Sequence, residues 1–264
     1  TQGVFPKYNF GTSHFYKTNK LNVNASYNFA PKKEFKNTLS NTNYINDTGV
    51  FSIWDTDFDQ IIRSNTHSAG LVIDYDFDDK NSLSLTSNGQ LQPKRESDFF
   101  QNTTIKNGSG VIDSTFTTGS YLNEIKNNIS GDLTYKHKFK ESGNLNINTH
   151  YTYFDLDRSQ DVNSNYFLPN GSFIRDFNFS TNANQQIEIK TAQLDYNDNL
   201  GSVFFETGVK GSFINSESKL DYILRNNGSE FIPNLSDDYI YDENVFAAYF
   251  SFSKDWEKWS LKTG

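Results

Sequence analysis

The sequence predicts an all-β fold, an antiparallel up-and-down transmembrane β-barrel of which about ten strands are visible. Three observations predict it. Apolar residues recur at every second position over stretches of about ten residues, which is the period of a strand and not of a helix. Short polar turns recur about every 60 residues, at 17–20, 78–81, 140–143, 199–202 and 254–258. Between the hairpins built on those turns lie long polar segments, 31–65, 92–123, 157–186 and 216–242. Soluble domains seldom hold loops beyond ~12–15 residues, and four in one domain would be odd. Short turns at one end and long segments at the other are the asymmetry of a membrane barrel.

Each hairpin rests on its own alternation. In the first, Leu21, Val23, Ala25, Tyr27 and Phe29 face one way, and Asn22, Asn24, Ser26 and Asn28 the other. In the second, Ala69, Leu71, Ile73, Tyr75 and Phe77 alternate with Ser68, Gly70, Asp74 and Asp76, Val72 being the exception. After the turn at 78–81, Leu83, Leu85 and Leu91 alternate with Ser82, Ser84 and Asn88. In the third, Ile129, Leu133, Tyr135 and Phe139 oppose Ser130, Asp132, Lys136 and Lys138. Its second arm sets Leu145, Ile147, Tyr151 and Tyr153 against Asn144, Asn146, Asn148 and His150. The fourth hairpin changes phase. Ile187 and Ile189 are odd while Ala192, Leu194 and Tyr196 are even, which predicts a β-bulge near Lys190 and Thr191. Its second arm sets Val203, Phe205, Val209 and Phe213 against Glu206, Lys210 and Ser212. In 245–252 both faces are apolar or small, so alternation leaves that strand's facing open.

Two solvents compete for the apolar face. In a β-sandwich it meets a second sheet, strands run ~5–6 residues and turns recur every ~8–12. In a membrane barrel it meets lipid, strands run ~9–11 residues, and the other face is wet. The length, the turn asymmetry and the persistent Asn, Ser, Asp and Lys of the second face favour the barrel. Tyr16, Phe77, Phe139, Trp256 and Trp259 lie beside the short turns, where aromatic rings suit a headgroup boundary. The lipid-facing set is then Leu71, Ile73, Tyr75, Phe77, Leu133, Tyr135, Phe139, Phe205, Val209 and Phe213, with Asp74 and Asp76 facing the lumen.

Composition narrows the classes. Apolar content is 35%, below the ~45–50% of soluble domains, and mean hydropathy is -0.69. No run approaches the ~18 apolar residues of a transmembrane helix. The 24 Phe and 15 Tyr argue against disorder over the whole length. A net charge of -8 argues against a nucleic-acid partner. There is no Cys, hence no disulfide framework or thiolate metal site. There is no Met either, and residues 1–7 lack the pattern of a signal peptide, so a processed chain or a piece of a longer one is expected.

Chemistry is sparse. Asp55, Asp57 and Asp59 match the first three ligand positions of a calcium loop, but Gln60 stands at the Gly position and Thr66 at the Glu position. Asp157, Ser159 and Asp161 fail likewise, with Val162 at the Gly position. Asp237, Asp238, Asp242 and Glu243 form an acidic cluster that reads as solvation of a long loop, with a rim cation site as the sharper alternative. His14, His67, His137 and His150 are scattered, without metal-ligand spacing. No nucleophile elbow, phosphate loop or zinc-protease motif occurs. The expectation is a protein with no catalytic activity, no cofactor and no metal. The long segments hold the candidate extracellular-loop contacts for a ligand or partner: Trp54, Phe58, Tyr166, Phe167, Phe173, Phe177 and Phe179. The alternative is that these rings form a small core of the loops themselves.

Four stretches carry a resemblance: LVIDYDFDDKNSLSLTSNGQ (71–90), DLTYKHKFKESGNLNINTHYTYFDLDRSQDVNSNYF (132–167), IEIKTAQLDYNDNLGSVFFETGVKGSFINSES (187–218) and YIYDENVFAAYFSFSKDWEKWSLKTG (239–264). In order and spacing they resemble the outer-membrane β-barrel family of TonB-dependent-receptor-like proteins of Bacteroidota, across the middle portion of the barrel. The resemblance implies residence in the cell outer membrane of a Gram-negative bacterium, with its lipid bilayer as partner. It implies a larger barrel of about 22 strands around a plug, of which 1–264 would be a slice. It implies nutrient uptake, with TonB as partner through a plug that these residues do not show. Two other readings stay open. One is a non-transporting barrel that scaffolds a surface or secretion complex, with a surface lipoprotein or other subunits as partners. The other is a soluble surface adhesin-like β-sandwich.

Overall fold

The computed structural model describes residues 4–139, 142–225 and 230–264. The strands are β1 (Phe10–Lys17), β2 (Leu21–Asn46), β3 (Gly49–Asp76), β4 (Asn81–Asn107), β5 (Ile112–Lys138), β6 (Asn144–Phe167), β7 (Phe173–Leu200), β8 (Val203–Leu224), β9 (Glu230–Phe231), β10 (Asp237–Trp256) and β11 (Trp259–Thr263). They form one antiparallel sheet in the order β1-β2-β3-β4-β5-β6-β7-β8-β10-β11, with β9 set beside β8. Apart from the two-residue β9, sequence neighbours are spatial neighbours, which is up-and-down topology. Among the described residues no second sheet packs on this one, as a sandwich would require.

The expected ten-residue strands are much longer. β3 and β7 have 28 residues each, β4 and β5 have 27, and even β10 has 20. At ~3.3 Å per residue a 27-residue strand runs ~90 Å, about three times the ~30 Å of a hydrocarbon core. The segments read as long loops are therefore the far halves of hairpins. β2 and β3 stay paired to Asn46↔Gly49, with a shift after Tyr44, and β6 and β7 to Phe167↔Phe173, with a shift after Tyr166. The fourth segment is less regular: β9 and a single 3₁₀ turn at Pro233–Leu235 stand between β8 and β10. Alternation failed to reveal these halves because neither of their faces is apolar at every second position, and backbone pairing needs no apolar face to persist.

The short turns fall where the sequence placed them, except that Lys140 and Glu141 lie outside the described residues. Their geometry follows from their residues. Asp78 Oδ1 accepts the backbone N–H groups of Lys80 and Asn81, both at 2.8 Å, closing the turn from its own side chain. At the β7–β8 turn Gly201 takes φ 64°, the left-handed conformation that a two-residue hairpin turn demands and that glycine adopts freely.

Register turns alternation into two faces. One row of directly paired residues runs Tyr16, Val23, Ile73, Leu85, Leu133, Thr149, Ala192, Gly211, Phe246. The row one residue over runs Asn22, Asp74, Ser84, Thr134, Asn148, Gln193, Lys210, Ala247 on the opposite face. The sheet therefore has one apolar and one polar face across eight strands. The strand whose facing alternation left open is settled by pairing: Phe246, Ala248, Phe250 and Phe252 share the apolar face, and Tyr249 the polar one.

The bulge expected near Lys190 and Thr191 is absent: β7 keeps unbroken register there with both neighbours. Ile187 and Ile189 sit on the polar face, and Glu188 and Lys190 share the face of Leu194. An irregularity that the sequence reading missed lies on β4. Between Gln92 and Arg95 the strand gains one residue against both β3 and β5. Pro93 stands there, with no N–H to give a ladder, and a bulge is where a strand tolerates it. The extra residue inverts the facing of β4 beyond it, so Lys94, Glu96 and Asp98 share the apolar side while Arg95, Ser97 and Phe99 share the polar side.

Candidate functional site

The polar face is continuous from the short turns to the far turns. Near the short turns Asp74 accepts from Asn22 at 3.0 Å and from Ser84 at 2.5 Å. Further along, Thr134 donates to Asn148 at 2.9 Å, His150 pairs with Asp132 at 2.7 Å, and Tyr249 donates to Asp195 at 2.9 Å. Beyond this zone Glu124 is the buried charge of the face. Arg158 donates to it through Nε at 2.8 Å, and Arg95 lies 3.6 Å away. Ser64, Ser97, Thr103, Phe116, Glu124 and Ser164 are buried on this face, against Ser180 on the other, which Arg225 and Asp161 enclose. Side chains crowd where a curved sheet is concave, so the polar face is the inner one.

The far halves carry an aromatic row on the same face. Thr56, Thr103, Phe116, Tyr166 and Arg175 are paired strand to strand. The Thr56 and Thr103 hydroxyls lie 3.0 Å apart. Phe116 stacks on Tyr166 at 5.3 Å, and the Arg175 guanidinium covers the Tyr166 ring at 4.1 Å. Trp54 meets Phe116 edge-on at 5.7 Å and Tyr44 at 5.2 Å. Among the described residues Phe116 is the buried large hydrophobe.

The seven candidate contact aromatics therefore divide. Trp54 and Tyr166 join this row, bridged by Phe116. Phe58 meets Phe99 in a tilted contact at 4.6 Å, also on the inner face. Phe177 and Phe179 lie 5.6 Å apart, and Phe179 stacks on Tyr222 at 5.0 Å. Phe167 and Phe173 meet at 6.0 Å at the far turn of their hairpin. None stands on a loop; all are on strands. Sequence reasoning missed Tyr44, Phe99, Phe116, Arg175 and Tyr222. Phe116 stands alone among the small and polar residues of 113–119, so no period marked it, and Arg175 had no signal either.

The ten residues expected to face lipid share one side. Leu71, Ile73 and Tyr75 on β3 align with Leu133 and Tyr135 on β5, and with Phe205, Val209 and Phe213 on β8, through unbroken register. Phe77 and Phe139 continue that phase into the short turns, where Phe77 meets Tyr75 at 4.9 Å and Phe139 meets Tyr196 at 5.7 Å.

The strings that began to match calcium loops are strands. Asp55, Asp57 and Asp59 stand at alternate positions of β3, about 6.6 Å apart, too far for one ion to gather all three. Their oxygens are already engaged: Asn41 and Lys106 hold Asp55, and Asn37 bridges Asp57 and Asp59 at 2.9 Å each. Asp237, Asp238, Asp242 and Glu243 lie within β10 and alternate between faces. The histidines are each partnered separately, His14 by Thr12, His67 by Tyr27, His137 by Asn81 and His150 by Asp132. Among the described residues no group of three metal-binding side chains converges.

No curated protein matches the chain. Residues 137–264, from the end of β5 through β11, match the sequence model of the outer membrane protein beta-barrel family. The up-and-down antiparallel sheet, its two unlike faces and that match make this an outer-membrane barrel protein, seated in the cell outer membrane.

Proposed function

We propose that the chain is part of the wall of a barrel that takes up a nutrient too large for porins, driven by TonB through a plug. In this reading residues 1–264 form a partial barrel domain completed by further strands. An unpaired edge is not viable in lipid, and β1 and β11 each have one described neighbour. The apolar side meets acyl chains at Leu71, Ile73, Tyr75, Phe77, Leu133, Tyr135, Phe139, Phe205, Val209 and Phe213. The inner face lines a wet lumen.

The observation that carries uptake is the mainly polar inner face, with hydrogen-bonded Asn, Asp, Ser and Thr along the membrane zone and aromatic rings above it. Such a face suits the passage of a polar solute, with Trp54, Phe58, Tyr166, Phe167, Phe173, Phe177 and Phe179 as contacts at the mouth. The test compares cells with and without the native protein for accumulation of oligosaccharides, peptides and ferric siderophores, with and without a protonophore. Protein-dependent, protonophore-sensitive accumulation is expected. Its absence for every solute overturns uptake.

A second reading is favoured by the length of the strands. The hairpins reach far beyond a bilayer, and a wall of that height suits a scaffold for a surface lipoprotein or other subunits of a complex. Co-purification of one stoichiometric subunit, with no energy-dependent uptake, would select it.

A further inference from the structure

A basic recess lies on the apolar side of the wall, just beyond the apolar belt. Phe5, Tyr8, Pro31, Lys33, Arg63 and Lys94 line a cavity of about 310 Å³. Its height in the membrane follows from register. The belt on β2 and β3 ends in an aromatic tier: Phe29 stacks on the His67 ring at 4.7 Å, and Tyr27 reaches His67 Nδ1 at 2.7 Å. Four residues further along, Lys33 pairs directly with Arg63. At ~3.3 Å per residue and barrel tilt, that is about 10 Å beyond the tier, where hydrocarbon has given way to the polar layer.

Three cations meet there because of the bulge at Pro93, which turns Lys94 to this side beside Arg63. Two carboxylates of the same side pin them in place: Glu96 holds Lys94 at 3.0 Å, and Asp98 holds Arg63. Lys33 makes no ion pair among the described residues, and its ammonium stands 4.1 Å from the Phe5 ring centroid. The concentration of positive charge is local. On β6 the same side, at the edge of the belt, carries Asp155 and Asp157, and the chain as a whole is acidic at -8. With Glu96 and Asp98 counted, Lys33 leaves the cluster net positive, and three cationic donors at one place suit a phosphate monoester on a lipid, with its second negative charge, better than a headgroup without net charge. Its acyl chains would run down over Tyr27, Phe29 and the apolar rows below.

We propose that this recess binds a phosphorylated lipid of the outer leaflet, its phosphate held by Lys33, Arg63 and Lys94. The proposal rests on the lipid-facing assignment and on the short turns pointing to the periplasm, and is independent of transport. The test uses the full-length protein purified in detergent, with bis-phosphorylated lipid A and its dephosphorylated form as probes and bound lipid read by native mass spectrometry. The wild-type protein is expected to prefer the phosphorylated lipid by about tenfold or more. Lys33→Gln/Arg63→Gln/Lys94→Gln is expected to abolish that preference while keeping the heat-dependent gel shift of a folded barrel. Equal binding of the two lipids by wild type overturns the proposal without reference to any variant. Displacement of the lipid by millimolar inorganic phosphate overturns it in favour of a free-phosphate site. A soluble protein with no heat shift would instead overturn the lipid-facing assignment beneath it.

Discussion

At the scale of single residues the inner face is held by charges that face water on one side and one another on the other. Glu124 is the buried member, flanked by Arg158 and Arg95 from the neighbouring strands. Removing it leaves two partly buried guanidinium groups short of an acceptor. Glu124→Ala is therefore expected to cost about 2 kcal/mol, seen as faster hydrogen exchange in β5 and β6 around Ile125 and Asp157, with membrane retention unchanged. A second case, on the outer side, is titratable. The Lys106 ammonium at 2.6 Å and the Asn41 amide at 2.7 Å hold the Asp55 carboxyl below its ordinary value. A depressed carboxyl contributes stability above its unfolded value and loses it as pH falls through the folded one. The pairing of β3 with β4 beside Trp54 should thus be constant from pH 7 to about pH 5 and loosen below about pH 4. With Trp256 and Trp259 replaced by Phe, Trp54 fluorescence reports it, and Asp55→Asn should remove the acid limb.

At the scale of elements, the strands divide into a membrane zone that alternation reveals and a far zone that it does not. Ile73, Leu85 and Leu133 had to be apolar and in phase because one face meets a solvent that rejects polar groups, and the sequence shows them plainly. In the far zone both faces are wet, so Asp55, Thr56 and Asp57 keep strand geometry without any hydrophobic period, and the reading took them for loop. Trp54 and Tyr166 were visible as aromatics, but not as members of one row, because their meeting depends on register set elsewhere. The bulge was sought at Lys190, where apolar residues change phase, yet that change marks only the edge of the belt. Two predictions follow at this scale. Leu71→Arg, near mid-belt, should cost about 2–4 kcal/mol and block assembly, whereas Asp74→Arg should assemble; equal membrane yields of the two would contradict the facing. Deleting Pro93 should remove the one extra residue and leave a regular β4 with Arg95 still opposite Glu124, because the register of Leu91 with His67 and Asn127 then runs on without a break. In this cysteine-free chain, Arg95→Cys/Glu124→Cys should cross-link readily and keep that cross-link when Pro93 is also deleted; its loss would contradict a one-residue bulge at Pro93.

At the scale of the whole molecule the question is which way the hairpins point. The short turns, such as Asp78–Asp79 and Gly201–Ser202, lie at one end of the sheet. The far turns, at Asp47–Thr48, 108–111 and 168–172, lie at the other. Barrels of the outer membrane keep short turns in the periplasm and extend their longer connections outside. The apolar rows adjoin the short turns, so a bilayer centred on Ile73, Leu85 and Leu133 leaves each hairpin with about 15 residues per strand outside it, a wall rising about 50 Å along the strands. No lipid supports that wall. It stands on backbone pairing, on the Glu124 cluster and on the aromatic row from Tyr44 to Arg175, which explains why most of its buried residues, Ser180 apart, are gathered on the inner face. An epitope inserted after Ser109 or Asn170 should then be bound by antibody on intact cells, and cleaved there by added protease. The same epitope inserted after Asp79 should be reached only once the outer membrane is permeabilised. Labelling at Asp79 on intact cells, with protection at Ser109, would invert the molecule, move the aromatic row into the periplasm, and leave the basic recess against the inner leaflet.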